Sequence, residues 1–319
     1  MAQEQRDEVV TFVAEWQAKT ELPTAAFIQW LGVGRSKYYD WVKRQGQANQ
    51  HNSQLPKQNW LTEAEKEAIV AYQSRHRGTG YRRMCYMMLD ENVVAVSPSS
   101  VYRVLKEANL LHKAAQGSSK KGQGFQQPEA PHAHWHIDIS YINISGTFYY
   151  LCSILDGYSR SIVHWNLEPS MTEADVELVL QRARERFPLA RPRLISDNGP
   201  QFIARDFKQF VRLCGMQHVR TSPYYPQSNG KIERWHQTLK QECIRPGTPL
   251  TLTDARRLVT SFVDQYNNHR LHSAIGYITP ADKLAGREEI IFTQRREKLA
   301  QARQLRNQFW QEQTAVPAQ

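Results

Sequence analysis

Nine consecutive residues, Thr147 to Leu155, are nearly all apolar or aromatic. A strand with one wet face would alternate, so this run predicts a strand covered on both faces. The chain from residue 131 onward therefore reads as a layered α/β region. Ser161-Ile162-Val163-His164-Trp165 supplies a hairpin partner across Asp156-Gly157-Tyr158-Ser159. Thr172-Glu173-Ala174-Asp175 caps a helix whose apolar residues, Val176, Val179, Leu180, Ala183 and Phe187, recur at helical spacing and stop at Pro188. A short strand (Arg193 to Ser196), a helix (Arg205 to Cys214) and a strand (Gln217 to Thr221) follow. A helix over 230–244 carries the apolar stripe Ile232, Trp235 and Leu239, and another spans Thr253 to Tyr266. Residues 286–312, rich in Arg and Glu, read as helical and exposed.

Upstream the pattern is all helical. Thr24 to Leu31, the turn Gly32-Val33-Gly34 and Arg35 to Arg44 form a helix-turn-helix pattern. Its second helix offers Arg35, Ser36, Lys37 and Tyr38 at the end that meets base edges. A second unit covers 62–112. Thr62-Glu63-Ala64-Glu65 is a capping box. Gly78-Thr79-Gly80-Tyr81-Arg82-Arg83 leads into a further helix, and Ser97-Pro98-Ser99-Ser100 opens a third that carries Arg103. Arg82, Arg83, Ser99, Ser100 and Arg103 are its candidate DNA contacts. Residues 113–130, dominated by Gln, Gly, Ser, Ala and Lys, read as a basic linker. The expected domains are 1–55 and 56–112 (helix-turn-helix), 113–130 (linker), 131–285 (catalytic core) and 286–319 (helical tail).

Composition narrows the partners. The formal net charge of +10 favours a polyanion without choosing which one. No apolar run of about 18 residues crosses a bilayer, and no phosphate-cradling Gly-x-x-x-x-Gly-Lys-[Ser/Thr] loop implies a nucleotide cofactor. Cys85, Cys152, Cys214 and Cys243 are scattered and read as free thiols in a reducing cytoplasm. His132, His134 and His136 alternate, yet nothing completes a zinc set.

Three carboxylates stand in distinct contexts. Asp138 lies in Trp135-His136-Ile137-Asp138-Ile139. Asp197 follows Leu194-Ile195-Ser196 and opens Asp197-Asn198-Gly199-Pro200. Glu233 comes one turn into the helix over 230–244. Such a set can hold two Mg²⁺ or Mn²⁺ ions about 4 Å apart for in-line attack at phosphorus. Lys240, seven residues after Glu233, lies within about 20° of it on a straight helix. The proline- and glycine-containing segment Ser222 to Gly230 reads as a loop beside the site, where Gln227 and Asn229 are candidate DNA contacts. Lys231 joins them.

These residues resemble the retroviral-integrase-like DDE transposases of bacterial insertion sequences, especially those that excise through a circular intermediate. The resemblance rests on Trp135-x-x-Asp138, Ile154-Leu155-Asp156-x-Tyr158-Ser159-Arg160, Ser196-Asp197-Asn198-Gly199 and Pro226-Gln227-x-Asn229-Gly230-Lys231-x-Glu233. It continues through Tyr266-Asn267-x-x-Arg270-x-His272 to Gly276-Tyr277-x-Thr279-Pro280. It implies a ribonuclease H-like mixed sheet preceded by tandem helix-turn-helix units that bind element ends. It further implies that Asp138, Asp197 and Glu233 are the metal-binding catalytic triad, with two Mg²⁺ or Mn²⁺ ions per site. The reaction would be strand cleavage and 3′-hydroxyl transfer into target DNA, by at least a dimer, in the bacterial cytoplasm at the nucleoid. Lys240 matches a DNA-contacting position, whereas Gln237 stands where a second basic residue is frequent. The zinc module of retroviral integrases has no counterpart, and no heptad run suggests a leucine zipper. Two rival functions remain open, a nuclease that cuts without joining and a repressor with an inactive core.

Overall fold

Helix boundaries follow cap chemistry. In the computed structural model, which describes residues 3–47, 60–111, 127–221 and 229–315, Thr62 and Glu65 complete a reciprocal capping box. Ser97 caps its helix through the Ser100 amide, and Thr172 with Asp175 forms a second capping box. These side chains take up amide protons that the first helical turn cannot bond internally.

The described chain forms two compact units. One comprises Met1–Trp60 with Arg306–Gln319, and the other Leu61–Leu305. In the first, α1 (Gln3–Lys19), α2 (Thr24–Trp30) and α3 (Arg35–Lys43) enclose Val10, Val13, Phe27, Ile28, Tyr38 and Trp41. The turn between α2 and α3 needs Gly32, whose φ of +64° other residues adopt only with strain. The helix α1 lies upstream of the residues that signalled a helix-turn-helix.

In the second unit, α4 (Glu63–Arg75), α5 (Tyr81–Asp90) and α6 (Pro98–Glu107) surround Ile69, Tyr72, Met84, Met88, Val101 and Leu105. This three-helix bundle belongs to the same compact unit as the sheet. The reason is polar: buried Arg295 binds Asp90 at the end of α5 (2.6 Å) and donates to the carbonyls of Gly276 (3.2 Å) and Tyr277 (2.7 Å). Of the expected linker over 113–130, residues 113–126 lie outside the described residues, and 127–130 carry no helix or strand.

The sheet contains β1 (His134–Ile144), β2 (Thr147–Asp156), β3 (Ile162–Glu168), β4 (Arg193–Ser196) and β5 (Gln217–Arg220), in the order β3-β2-β1-β4-β5. Strand β2 runs antiparallel to both β1 and β3, while β4 and β5 run parallel to β1. With the interleaved helices this is the expected ribonuclease H-like arrangement. The long apolar run is buried continuously from Leu151 to Asp156, and only its first residues reach solvent.

Period-two alternation gives the two faces different jobs. Trp135, Ile137, Cys152, Ile154 and Leu194 pack against α7 (Glu173–Arg186) and α9 (Arg205–Leu213), with α8 (Pro200–Ile203) alongside. The opposite face, with Ile142, Ile144, Leu151 and Leu155, packs against α10 (Gly230–Leu239) and α12 (Leu252–Asn268). Asp138 lies on this second face, beneath α10. The helix expected over 230–244 is α-helical only to Leu239; Lys240–Ile244 form a π turn, followed by α11 (Arg245–Gly247). Ser273–Ile275 form a 3₁₀ turn, and α13 (Pro280–Leu284) and α14 (Glu288–Ala315) complete the chain.

Candidate active site

Sheet register brings two of the carboxylates together. The parallel β1–β4 ladder pairs His134 with Arg193 and His136 with Ile195. The ladder ends there, and Asp197 follows in the turn just past β4, where the Asp138 charge reaches it. Asp138 pairs with Ser153 across β2, and the indole of Trp235 on α10 reaches the Ser153 hydroxyl at 3.4 Å. That contact seats α10 over the acidic end of β1. Glu233, two residues before Trp235, is exposed at the rim.

The turn after β4 fixes Asp197. Its Oδ1 accepts from the Gly199 amide at 2.9 Å, and a Cβ on Gly199 would approach that oxygen to 3.1 Å. Asn198 donates to the Thr221 carbonyl at 3.0 Å, tying the turn to the end of β5. Asp138, Ser140, Glu233, His236, Gln237, Lys240, Gln241 and Arg245 line one cleft of about 380 Å³. Asp197 stands beside that cleft rather than in its lining.

Charge links all three acids. Burial, and then the charge of Asp138, raise the pKa of Asp197, with the Gly199 amide opposing. Burial followed by Asp138 raises Glu233, with Asp197 adding to the effect and His236 opposing it. Burial lowers the pKa of Lys240, and Asp138 partly restores it. Uncompensated like charges in one cleft favour protonated forms. No three His, Cys, Asp or Glu side chains among the described residues are close enough together to enclose a metal ion. The acids share a field but not a closed ligand shell.

His236 is the residue that sequence reasoning missed. It is buried, and its Nδ1 lies 3.4 Å from Asp138 Oδ2. The signal was its position three residues after Glu233, which puts both on one helical face.

Several expected DNA contacts are turned elsewhere. Tyr38 is 4% exposed and belongs to the α1–α3 core, so its ring cannot reach a base edge. Arg35, Ser36 and Lys37 are exposed at the start of α3. Asn229 is 3% exposed and faces His136 rather than solvent. Lys231 donates to the Gly157 carbonyl at 2.8 Å, and burial together with Arg160 pushes its pKa down to about 7. The tight fit there explains Gly157, since a Cβ would come within 2.9 Å of His136 Nε2. Arg83 is half-buried against the end of the core, whereas Arg82 and Arg103 are exposed. Ser99 and Ser100 hydroxyls engage the Ser97 cap at 2.9 and 3.0 Å. Gln227 lies outside the described residues.

The three alternating histidines do not form a metal face. His132 precedes β1 with φ of +59° and packs against Trp135 and Phe187, while burial pushes the pKa of His136 down to about 3. All four cysteines are free and buried. No described helix is long and apolar enough to cross a membrane.

Comparison with known proteins agrees with this geometry. A family model described as an integrase core domain matches residues 128–226, and another of the same description matches 214–280. The chain is 26% identical over 227 residues to a 39.2 kDa protein of insertion element IS476 from Xanthomonas euvesicatoria, covering 69% of this chain and 64% of that relative. It is 27% identical over 247 residues to the transposase of IS904 from Lactococcus lactis, covering 71% and 95%. Identity to the transposase InsD of an IS2 element from Escherichia coli is 29% over 223 residues, covering 65% and 74%. The chain thus spans just under two thirds of the first relative and nearly all of the second.

Proposed function

We propose that this chain is an insertion-sequence transposase built on an integrase core, like the relatives it resembles, that Asp138, Asp197 and Glu233 hold two Mg²⁺ or Mn²⁺ ions and that this site cuts and joins DNA strands. The observation that carries the proposal is that Asp138 of β1 and Glu233 of α10 line one cleft, with Asp197 held by the Gly199 amide in the turn beside it. Their oxygen donors suit a hard divalent cation, and their repulsion is what such a cation relieves. When bound, the ions would activate the attacking water or 3′-hydroxyl and stabilise the leaving oxygen.

The protein's own groups do the positioning. The strand ladder fixes Asp138, the Gly199 amide fixes Asp197, and His236 stands against the free oxygen of Asp138. Lys240 and Arg245 bring positive charge to the same cleft, where a scissile phosphate would sit. Double-stranded DNA, as element ends and as target, is the proposed substrate. Arg35, Ser36 and Lys37 on α3, and Arg82, Ser99, Ser100 and Arg103 on α5 and α6, are the proposed end contacts. Joining two ends requires at least a dimer. The catalytic domain of this reading is 131–285, after helical domains at 1–55 and 56–112 and a linker at 113–130, with a helical tail at 286–319.

Purified protein, a labelled end duplex and a plasmid target in Mg²⁺ or Mn²⁺ test the reading. Wild type should yield products joined at a 3′ end, and Glu233→Gln should yield none while still binding the duplex. Joining by Glu233→Gln would sink the triad. Cutting without joining by wild type would point to a nuclease.

A further inference from the structure

Four basic side chains from separate parts of the fold surround the buried Tyr266 of α12. They are Arg83 on α5, Arg160 in the β2–β3 turn, and Arg270 and His272 after α12. All four are half-buried. Each acts electrostatically on the buried Tyr266 hydroxyl or on one another: Tyr266 feels Arg270, Arg160 and Arg83, and His272 feels Arg160, Arg270 and Arg83.

The nearby acids are already engaged. Glu242 takes a two-pronged ion pair from Arg270. Asp156 accepts from the His132 amide (2.9 Å) and from the Ser159 amide (2.7 Å) and hydroxyl (2.6 Å). Among the described residues Arg83 and Arg160 have no ion-pair partner, and the Nε of each is buried without a hydrogen bond. Burial lowers the basicity of both; for Arg83 the Arg270 charge adds to it and Glu242 opposes, and for Arg160 Tyr266 and Asp156 oppose. Arg160 is also held at φ of +69°, a conformation that strains a side chain of its size. The hairpin turn accounts for the backbone of Arg160, whose amide donates to the Asp156 carbonyl at 2.9 Å, but it gives neither buried guanidinium a counter-ion. A bound anion would supply one.

We propose that Arg83 and Arg160 form a phosphate clamp that grips the DNA backbone between the α4–α6 bundle and the catalytic carboxylates. The proposal rests on the DNA-joining reading given above. Arg160 neighbours Lys231, in the first turn of the helix that also carries Glu233. Guanidinium groups suit this task because their donors match two phosphate oxygens at once.

The test is binding of the full chain to an end duplex across a series of KCl concentrations. Wild type is compared with Arg83→Gln, Arg160→Gln and Arg160→Gly. Each substitution should flatten the plot of log affinity against log salt by about one, as one phosphate contact is lost. Affinity at fixed salt should fall about tenfold. The melting temperature of the DNA-free protein should hold or rise, because an unpaired buried charge is removed. Arg160→Gly should rise most, since it also releases the backbone.

An unchanged slope with a lowered melting temperature would make these arginines structural and overturn the proposal. So would an unchanged slope with inorganic phosphate stabilising wild type alone, because the site would then take free anion and not DNA. The two readings also fail separately. Wild type that binds through this clamp but never joins ends sinks only the catalytic proposal. Wild type that joins ends with a slope indifferent to both arginines sinks only the clamp.

Discussion

The bundles α1–α3 and α4–α6 are each three short helices around a small apolar core, and each is secured by one buried arginine. In the first, Arg6 donates to the carbonyls of Arg44 (2.7 Å) and Gln47 (2.8 Å) while its Nε meets Asp7 at 2.8 Å. All these partners belong to the same bundle, so Arg6 closes the end of α3 onto α1. In the second, Arg295 comes from α14 and joins Asp90 of α5 to the loop at Gly276 and Tyr277, with Tyr86 stacked on Tyr277. Two bundles with similar sequence patterning thus differ in what their arginine connects. One is locked to itself, and the other is locked to the loop after α12 in its own compact unit.

Substitutions at the two arginines separate these cases. Arg295→Ala should cost about 2 kcal/mol, because it removes the donor to two carbonyls and frees the half-exposed Asp90. Hydrogen exchange should then rise together in α5 and around 270–280. Exchange that rises in α5 alone would mean the bundle is not braced through this contact. Arg6→Ala should cost about 2 kcal/mol by leaving the α3 carbonyls unpaired. Its exchange should rise only in α1–α3, with the melting of the catalytic unit unchanged.

A smaller effect, read by pH, belongs to the catalytic unit alone. Burial, with Arg220 and Lys208, pushes His218 down to about 4, and its Nε2 lies 2.9 Å from the Ser196 hydroxyl. The folded state keeps this ring neutral while the unfolded chain titrates near about 6.5. Stability is therefore full above about 6.5 and is lost as pH falls toward 4. The melting temperature of His218→Gln should fall less than that of wild type across this window. Equal losses would show that the ring contributes nothing there.

What was legible in the sequence was local. Caps at Thr62, Ser97 and Thr172 and the apolar run from Thr147 announced their elements because the responsible chemistry lies within a few residues. The acidic residues could be singled out because each sits in a recognisable strand, turn or helix context. Facing directions were not legible where they depend on distant chain. Tyr38 and Asn229 are polar-tipped residues next to real signals, and nothing nearby reveals that a core claims Tyr38 and His136 claims Asn229. Lys231 turns inward because a carbonyl of the β2–β3 turn waits for it. His236 went unseen for the converse reason, since its partner is a strand almost a hundred residues upstream.

The π turn over Lys240–Ile244 has a consequence for helix phase. At 3.6 residues per turn Arg245 would sit about 120° around the axis from Glu233, facing away from the cleft. The wider turn unwinds the helix by close to one residue, and Arg245 returns to line the same cleft as Glu233 and Lys240. The segment behaves as a helix into which one residue has been added, with the surplus absorbed locally and the new phase put to use. Removing a single residue between 240 and 244 would give a regular spiral with Arg245 at its present phase, whereas closing the π turn with every residue kept would swing Arg245 by about 100° out of the cleft, so the wide turn itself is a dimension of the site.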